Sequence, residues 1–235
     1  MKIWLADLTY TQQTIASDTF PAAVGMIGAF VRANFPALSQ LRLFKYPEEL
    51  AAALENSAPD VMGFSNYCWN TALSRAFAAT LKKRYPKTIV VMGGPNFPMD
   101  PAEQQEVLTS HPELDFFVIK EAEVAFLKLV EALHACVLDL YRFDAEAPAD
   151  LPNLVYRDRA GRLRASAKLE RVRNLEAIPS PYLIGDMDRF FDGKLLSGMG
   201  RLVEIAGLML PPDPGSWAHA RAYGMALIET VAIAL

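Results

Sequence analysis

Five short runs of β-type residues recur along the first 135 residues, each followed by a longer segment with helical spacing. The runs are Lys2 to Ala6 (KIWLA), Leu41 to Phe44, Asp60 to Ser65 (DVMGFS), Thr88 to Met92 (TIVVM) and Leu114 to Ile119 (LDFFVI). Helical segments begin near Pro21, Pro47, Thr71, Pro101 and Glu121, and a first helical turn tolerates the prolines among them. TIVVM is β-branched and almost wholly apolar, as a strand buried on both faces must be, and Gly93-Gly94-Pro95 ends it. Parallel strands joined in this way need right-handed crossovers, with helices covering both faces of the sheet. The expected fold is therefore α/β: a doubly wound parallel five-stranded sheet, flavodoxin-like or Rossmann-like, of order 2-1-3-4-5. In such sheets ligands sit beyond the carboxyl ends of the strands at the switch point, here between the first and third strands. The loops that follow from this are Asp7 to Phe20, Ser65 to Asn70, Gly93 to Pro98 and Lys120 to Glu123.

Downstream of about Leu138 the pattern changes. An Asp/Ala/Pro segment, Asp144 to Pro152, precedes two β-type runs, Asn153 to Asp158 and Leu163 to Ser166, which Ala160-Gly161 joins as a hairpin appended to the sheet domain. Pro179, Pro181 and the cluster Phe190 to Gly193 read as an extended connector. From Ser197 the chain is rich in Gly, Ala, Leu and Met and loses its charge patterning. The expected division is a ligand-binding sheet domain over residues 1–136, hairpin and connector over 137–196, and an atypical tail, irregular or helical, over 197–235.

Composition removes several classes. With 52% hydrophobic and 21% charged residues the chain is neither disordered nor fibrous, and its 27 acidic against 23 basic residues, a formal charge of −4, argue against a nucleic-acid partner. MKIWLADLTY offers only four apolar residues before Asp7, too few for a signal peptide, so a cytoplasmic protein is expected. Ala218 to Leu235 is 18 residues long and contains Arg221 and Glu229, which favours a buried or poorly folded helix over a membrane span. Neither cysteine, Cys68 or Cys136, has metal-binding spacing, and His111, His134 and His219 are scattered.

The loop after the first strand reads Asp7-Leu8-Thr9-Tyr10-Thr11-Gln12. An Asp closing a first strand is common in α/β sheets as a hydrogen-bonding loop residue. Ser65 and Gly93-Gly94 are small enough to admit a bulky planar ligand, or its nucleotide tail, between sheet edge and helices. Taken together, ADLTYTQQTIASDTFP (6–21), GFSNYCWN (63–70), GGPNFP (93–98) and KEAEVAF (120–126) resemble the B12-binding domain of cobalamin-dependent radical S-adenosylmethionine proteins. The resemblance extends through LPNLVYRDRAGRL (151–163) and IPSPYLIGDMDRFFDG (178–193), and covers roughly residues 1–196.

The resemblance implies cobalamin as cofactor and a site formed by Asp7, Thr9, Gln12, Ser65, Asn66, Tyr67, Trp69, Gly93, Gly94, Pro95, Glu121 and Glu123. Histidine-ligated relatives carry D-x-H-x-x-G after the first strand, the imidazole being the lower cobalt ligand. Here Thr9 replaces the His and Gln12 the Gly, so no protein imidazole is expected on cobalt. Lys120-Glu121-Ala122-Glu123 stands where the family usually has G-E-G-E, matching the glutamates and not the glycines. The family's radical domain opens with C-x-x-x-C-x-x-C for a [4Fe–4S] cluster, a triplet this chain lacks, and the resemblance ends near Leu196. The expectation is a truncated, cobalamin-binding half of a methyltransferase-like enzyme, not catalytic alone, with self-association through the surface a missing domain would leave.

Other classes fit fewer residues. A phospho-receiver domain matches Asp7 and Lys120, but its acceptor Asp is replaced by Ser65-Asn66. A flavodoxin-like FMN-binding protein, the second reading, would use hydroxyls such as Thr9, Thr11 and Thr14 as a phosphate loop, although no glycine lets the backbone wrap a phosphate there. Tyr67 and Trp69 pack on the corrin edge or belong to the core, Glu121 and Glu123 serve the ligand or only the last helix's dipole, and Cys68 is a thiolate near the corrin or a small partly buried side chain.

Overall fold

The computed structural model describes residues 1–11, 20–148, 150–166 and 175–190. The Ser197 tail expected above lies outside the described residues. The strands are β1 (Lys2–Ala6), β2 (Gln40–Phe44), β3 (Val61–Ser65), β4 (Ile89–Gly93), β5 (Phe116–Val118), β6 (Leu154–Arg157) and β7 (Leu163–Ala165). The helices are α1 (Ala22–Asn34), α2 (Pro47–Asn56), α3 (Thr71–Arg84), α4 (Pro101–Ser110), α5 (Glu123–Ala135) and α6 (Leu140–Glu146).

The strands form one sheet in the order β2-β1-β3-β4-β5-β6-β7. The first five pair in parallel, as the β-α repeat requires, while β6 and β7 extend the sheet antiparallel beyond β5. The order 2-1-3-4-5 and the appended hairpin both agree with the sequence reading. Because side chains alternate along a strand, each strand divides its residues between two cores. Ile3, Leu5, Val61, Val91, Phe116 and Val118 pack with Val24 and Val31 of α1 and Phe126 and Val130 of α5. Trp4, Ala6, Met62, Phe64, Val90 and Phe117 face the other way, onto Leu50 of α2, Leu81 of α3 and Leu108 of α4.

Local signals set the helix ends. Asp100 caps α4 by accepting from the Ala102 and Glu103 amides at 2.9 and 3.2 Å, with Pro101 in the first turn. α2 likewise opens on Pro47 with Glu48 and Glu49 in its first turn, and α3 closes on Lys82, Lys83 and Arg84, so charges at these ends complement the helix dipoles.

Two segments depart from the expectation. α6 forms where only a change of pattern was read: Asp139 accepts from the Tyr141 and Arg142 amides at 2.8 and 3.2 Å, and Phe143 is buried against Phe116 and Tyr156. The described part of the connector is folded back, through turns and the single-turn 3-10 helices Leu175–Ala177 and Asp188–Phe190, instead of extended. Tyr182, Met187 and Phe190 join the core beside α1, and Arg32 of α1 pairs with Asp186 at 2.8 Å.

Trp4 anchors one of the two cores. It is fully buried, lies 5.2 Å from the Phe44 ring, carries the Arg42 guanidinium 4.8 Å from its ring centre and donates from Nε1 to Gln40 at 3.1 Å. Trp4→Ala is expected to lower the urea-unfolding free energy by about 3–5 kcal/mol. A loss below about 1 kcal/mol would show that the site collapses around the missing ring.

Candidate functional site at the carboxyl edge of the sheet

β1, β3 and β4 end together, and their loops are knitted by side chains that the helices cannot cover. Ser65 Oγ donates to Asp7 Oδ1 at 2.5 Å, and Asn70 Nδ2 donates to the same carboxylate oxygen at 3.1 Å and to Ser65 Oγ at 2.8 Å. Asn70 Oδ1 accepts the Tyr67 amide at 2.9 Å, which fixes the turn leading into α3. A second knot joins the β3 and β4 loops. Asn66 Nδ2 donates to the Asn96 carbonyl at 2.5 Å, Thr71 Oγ1 donates to Asn66 Oδ1 at 2.7 Å, and Asn96 Nδ2 donates to Thr71 Oγ1 at 2.7 Å. Gly94 closes this knot at φ 139°, where an added Cβ would lie 2.6 Å from the Asn66 carbonyl oxygen.

Burial raises the pKa of Asp7 above its ordinary value, against the opposing pull of the Ser65 hydrogen bond, the Lys45 charge and the Asn70 hydrogen bond. The Tyr67 phenol is also pushed up, by burial first and then by the Asp7 charge. Tyr67 stacks on Trp69 with ring centres 4.5 Å apart and planes 5° from parallel, and Trp69 remains 55% exposed.

Beside these knots a cavity of about 310 Å³ opens between the sheet and the α1 and α5 helices. Leu5, Val24, Ile27, Val91, Val118 and Phe126 make it apolar inside, while Ser65, Gly94 and the segment Lys120 to Glu123 line it among the more polar residues. Gly63, in the middle of β3, deepens it: a Cβ there would lie 2.6 Å from Leu5 Cδ2 and 3.7 Å from Phe126. An apolar cleft at a topological switch point with a few polar groups is the usual form of a small-ligand site in an open α/β sheet.

Residues 11–130, just over half of the chain, match the family model described as B12 binding domain. The chain belongs to the B12-binding domain family. The cofactor that goes with this assignment is cobalamin. Two relatives are similar to this chain: the cobalamin-dependent radical SAM methyltransferase TokK of Streptomyces tokunonensis, 33% identical over 150 residues, and the 2-(S-pantetheinyl)-carbapenam-3-carboxylate methyltransferase of Streptantibioticus cattleyicolor, 32% identical over 141. These alignments cover 62% and 60% of this chain, and the chain spans only about a fifth of either relative's length. The cobalamin-dependent S-adenosylmethionine radical enzyme OxsB, solved with aqua-cobalamin and S-adenosylmethionine bound, has the same fold over 81% of this chain, with a TM-score of 0.58 and 16% identity, the match covering 25% of the OxsB chain.

Within this B12-binding domain, seven of the residues singled out from sequence line the cavity: Ser65, Tyr67, Gly93, Gly94, Pro95, Glu121 and Glu123. Asp7 and Asn66 stand behind them, holding Ser65 and the β4 loop, and Trp69 backs Tyr67 outside the lining. Thr9 is buried, its amide donating to the Lys45 carbonyl at 3.1 Å and its hydroxyl without a partner among the described residues. Gln12 lies outside the described residues. Sequence reasoning passed over Gly63, although a glycine inside a buried strand signals close approach, and over Asn70, Thr71 and Asn96, whose roles arise only when separate loops meet. Among the described residues no three His, Cys, Asp or Glu side chains cluster for a metal, and no helix is long and apolar enough to cross a membrane.

Since the folded protein favours protonated Asp7, this group's contribution to stability is largest below the ordinary carboxyl pKa and declines as pH rises toward the raised value. Asp7→Asn keeps an oxygen for Ser65 and Asn70 and removes the buried charge. The variant is expected to melt above the parent at neutral pH, the gap narrowing as pH falls toward about 4. Thermal unfolding followed across that range checks it, and a variant less stable throughout would mean that the charged hydrogen bonds outweigh burial.

Proposed function

We propose that this chain holds cobalamin against the carboxyl edge of its sheet with the nucleotide tail in the cavity beside Gly63, as the cofactor-binding part of a radical methyltransferase. The observation that carries the reading is the cavity itself: apolar walls, small residues at Gly63, Gly93 and Gly94, and an opening at the switch point. It suits a flat aromatic base that must leave water while the rest of a large ligand stays at the edge. The names of the two relatives support the wider role.

Bound cobalamin supplies a cobalt centre that accepts and passes on a methyl group. The chain's own residues act by positioning. Ser65, fixed by Asp7 and Asn70, presents a hydroxyl where the tail would enter, and Tyr67 presents a phenol donor backed by Trp69. Thr9 offers cobalt a neutral hydroxyl at most. Two of the three histidines are engaged elsewhere: His111 contacts Glu113 at 3.1 Å and His134 packs 5.7 Å from Phe35. Neither of these two imidazoles is available to the lower face of the corrin in this reading; His219 lies outside the described residues. The two cysteines, exposed Cys68 and buried Cys136, are free, which suits a reducing cytoplasm, and they fall short of a three-thiolate cluster set. Of the hydroxyls the flavin reading would use, Thr9 is buried and Thr11 donates to Glu48 at 2.7 Å, while Thr14 lies outside the described residues.

Titration with hydroxocobalamin, followed by gel filtration, tests this directly: corrin absorbance is expected to travel with the protein and to show a base-off spectrum. A base-on spectrum would remove the tail from the cavity, and no comigration from a folded sample would remove the site. Gly63→Val, which fills the cavity, is expected to weaken cobalamin binding by about tenfold or more while changing cobinamide binding, which needs no tail pocket, by less than about twofold. Far-UV circular dichroism of the variant confirms that the sheet is retained.

A further inference from the structure

Among the described residues that line the cavity Lys120 is the single cation, and it stands in the β5-α5 loop at the opening. Its backbone has φ 60°, in the left-handed region that disfavours any side chain with a Cβ. The side chain is exposed and forms no ion pair with a described residue. It is flanked instead by Glu121 and Glu123 on the same rim, and α5 starts there without a side-chain cap. A left-handed residue in a tight loop is ordinarily better served by glycine, so the lysine is held at a conformational cost that its own contacts do not repay.

The chemistry of the cofactor supplies what such a cation would meet. In the nucleotide tail the base is joined through ribose to a phosphodiester, which carries the tail's negative charge. With the base in the apolar interior, covalent connection leaves the phosphodiester within a sugar's length of the rim, where a flexible ammonium is well placed to follow it. We infer that Lys120 is a cofactor-binding residue that pairs with the phosphodiester of the cobalamin nucleotide tail. The inference rests on the cobalamin reading and adds a charge contact to it. Lysine suits this role as a mobile point charge on a long stem, able to reach an anion without fixed geometry. Glu123 on the same rim would repel that anion, and the Lys120 charge offsets it.

The test compares the parent chain with Lys120→Gln and Lys120→Arg in titrations against hydroxocobalamin and against cobinamide, which lacks the phosphodiester and base, at low and high salt. Lys120→Gln is expected to weaken hydroxocobalamin binding by about fivefold at low salt, with the difference shrinking as salt rises, and to leave cobinamide binding unchanged. Lys120→Arg is expected to restore the affinity. Equal hydroxocobalamin affinities for parent and Lys120→Gln, or an equal loss toward both corrinoids, would overturn the inference while leaving the cobalamin reading intact. A parent chain that binds neither corrinoid would overturn both.

Discussion

Burying both faces of a parallel sheet is the constraint from which the rest of this molecule follows. Each strand must supply apolar side chains in both directions, and helices must cross over both faces to cover them. The helices cannot follow the strands past their carboxyl ends, where the chain turns back, so that edge is left with main-chain groups to satisfy and space to fill. Between α1, α5 and β3 a cavity remains, and the absence of a side chain at Gly63 lets Leu5 pack close to the strand in a layer that also holds Val91 and Phe126. Leu5 packs into the place a side chain at position 63 would take, and the cavity opens beside it.

Polar side chains resolve the other half of the problem. Asp7, Ser65 and Asn70 form one hydrogen-bonded set and Asn66, Thr71 and Asn96 another, and between them they satisfy loop groups that strands and helices leave open. Asp7 is held in this order while burial raises its pKa and the hydrogen bonds from Ser65 and Asn70 oppose that rise. Such a shift is characteristic of sites held ready for a ligand, and here it lies next to the residues that line the cavity.

The β-α rhythm made the parallel order legible, because KIWLA, DVMGFS and TIVVM are too short and too apolar to be anything but buried strands in sequence with helices. Gly93-Gly94 and Ser65 were legible as small residues at strand ends, and both border the cavity. Other features were hidden for physical reasons. α6 depends on Phe143 meeting Phe116 and Tyr156, a contact between distant parts of the chain, and its seven residues carry too little periodicity to be read alone. The turns around Pro181 fold onto α1 through Tyr182 and Met187, for which prolines in the sequence suggest only a break. Asn96 and Thr71 look like ordinary loop and helix-start residues until Asn66 brings them together.

The β5-α5 loop carries the sharpest tension between local and global demands. Its geometry favours glycine at position 120, yet the backbone keeps its left-handed turn with a lysine in place. Relief of strain alone would favour glycine, since a Cβ in this region costs about 1–2 kcal/mol. A solvent-exposed surface charge, by comparison, contributes about 0–1 kcal/mol to the fold. Val137, Leu138 and Asn153 also adopt positive φ in this chain, so what distinguishes Lys120 is its place on the cavity rim, where its charge can meet an anion. Among the described lining residues Lys120 is the cation on a rim that also bears Glu121 and Glu123, above an apolar interior, and the proposed role is one in binding rather than in stability.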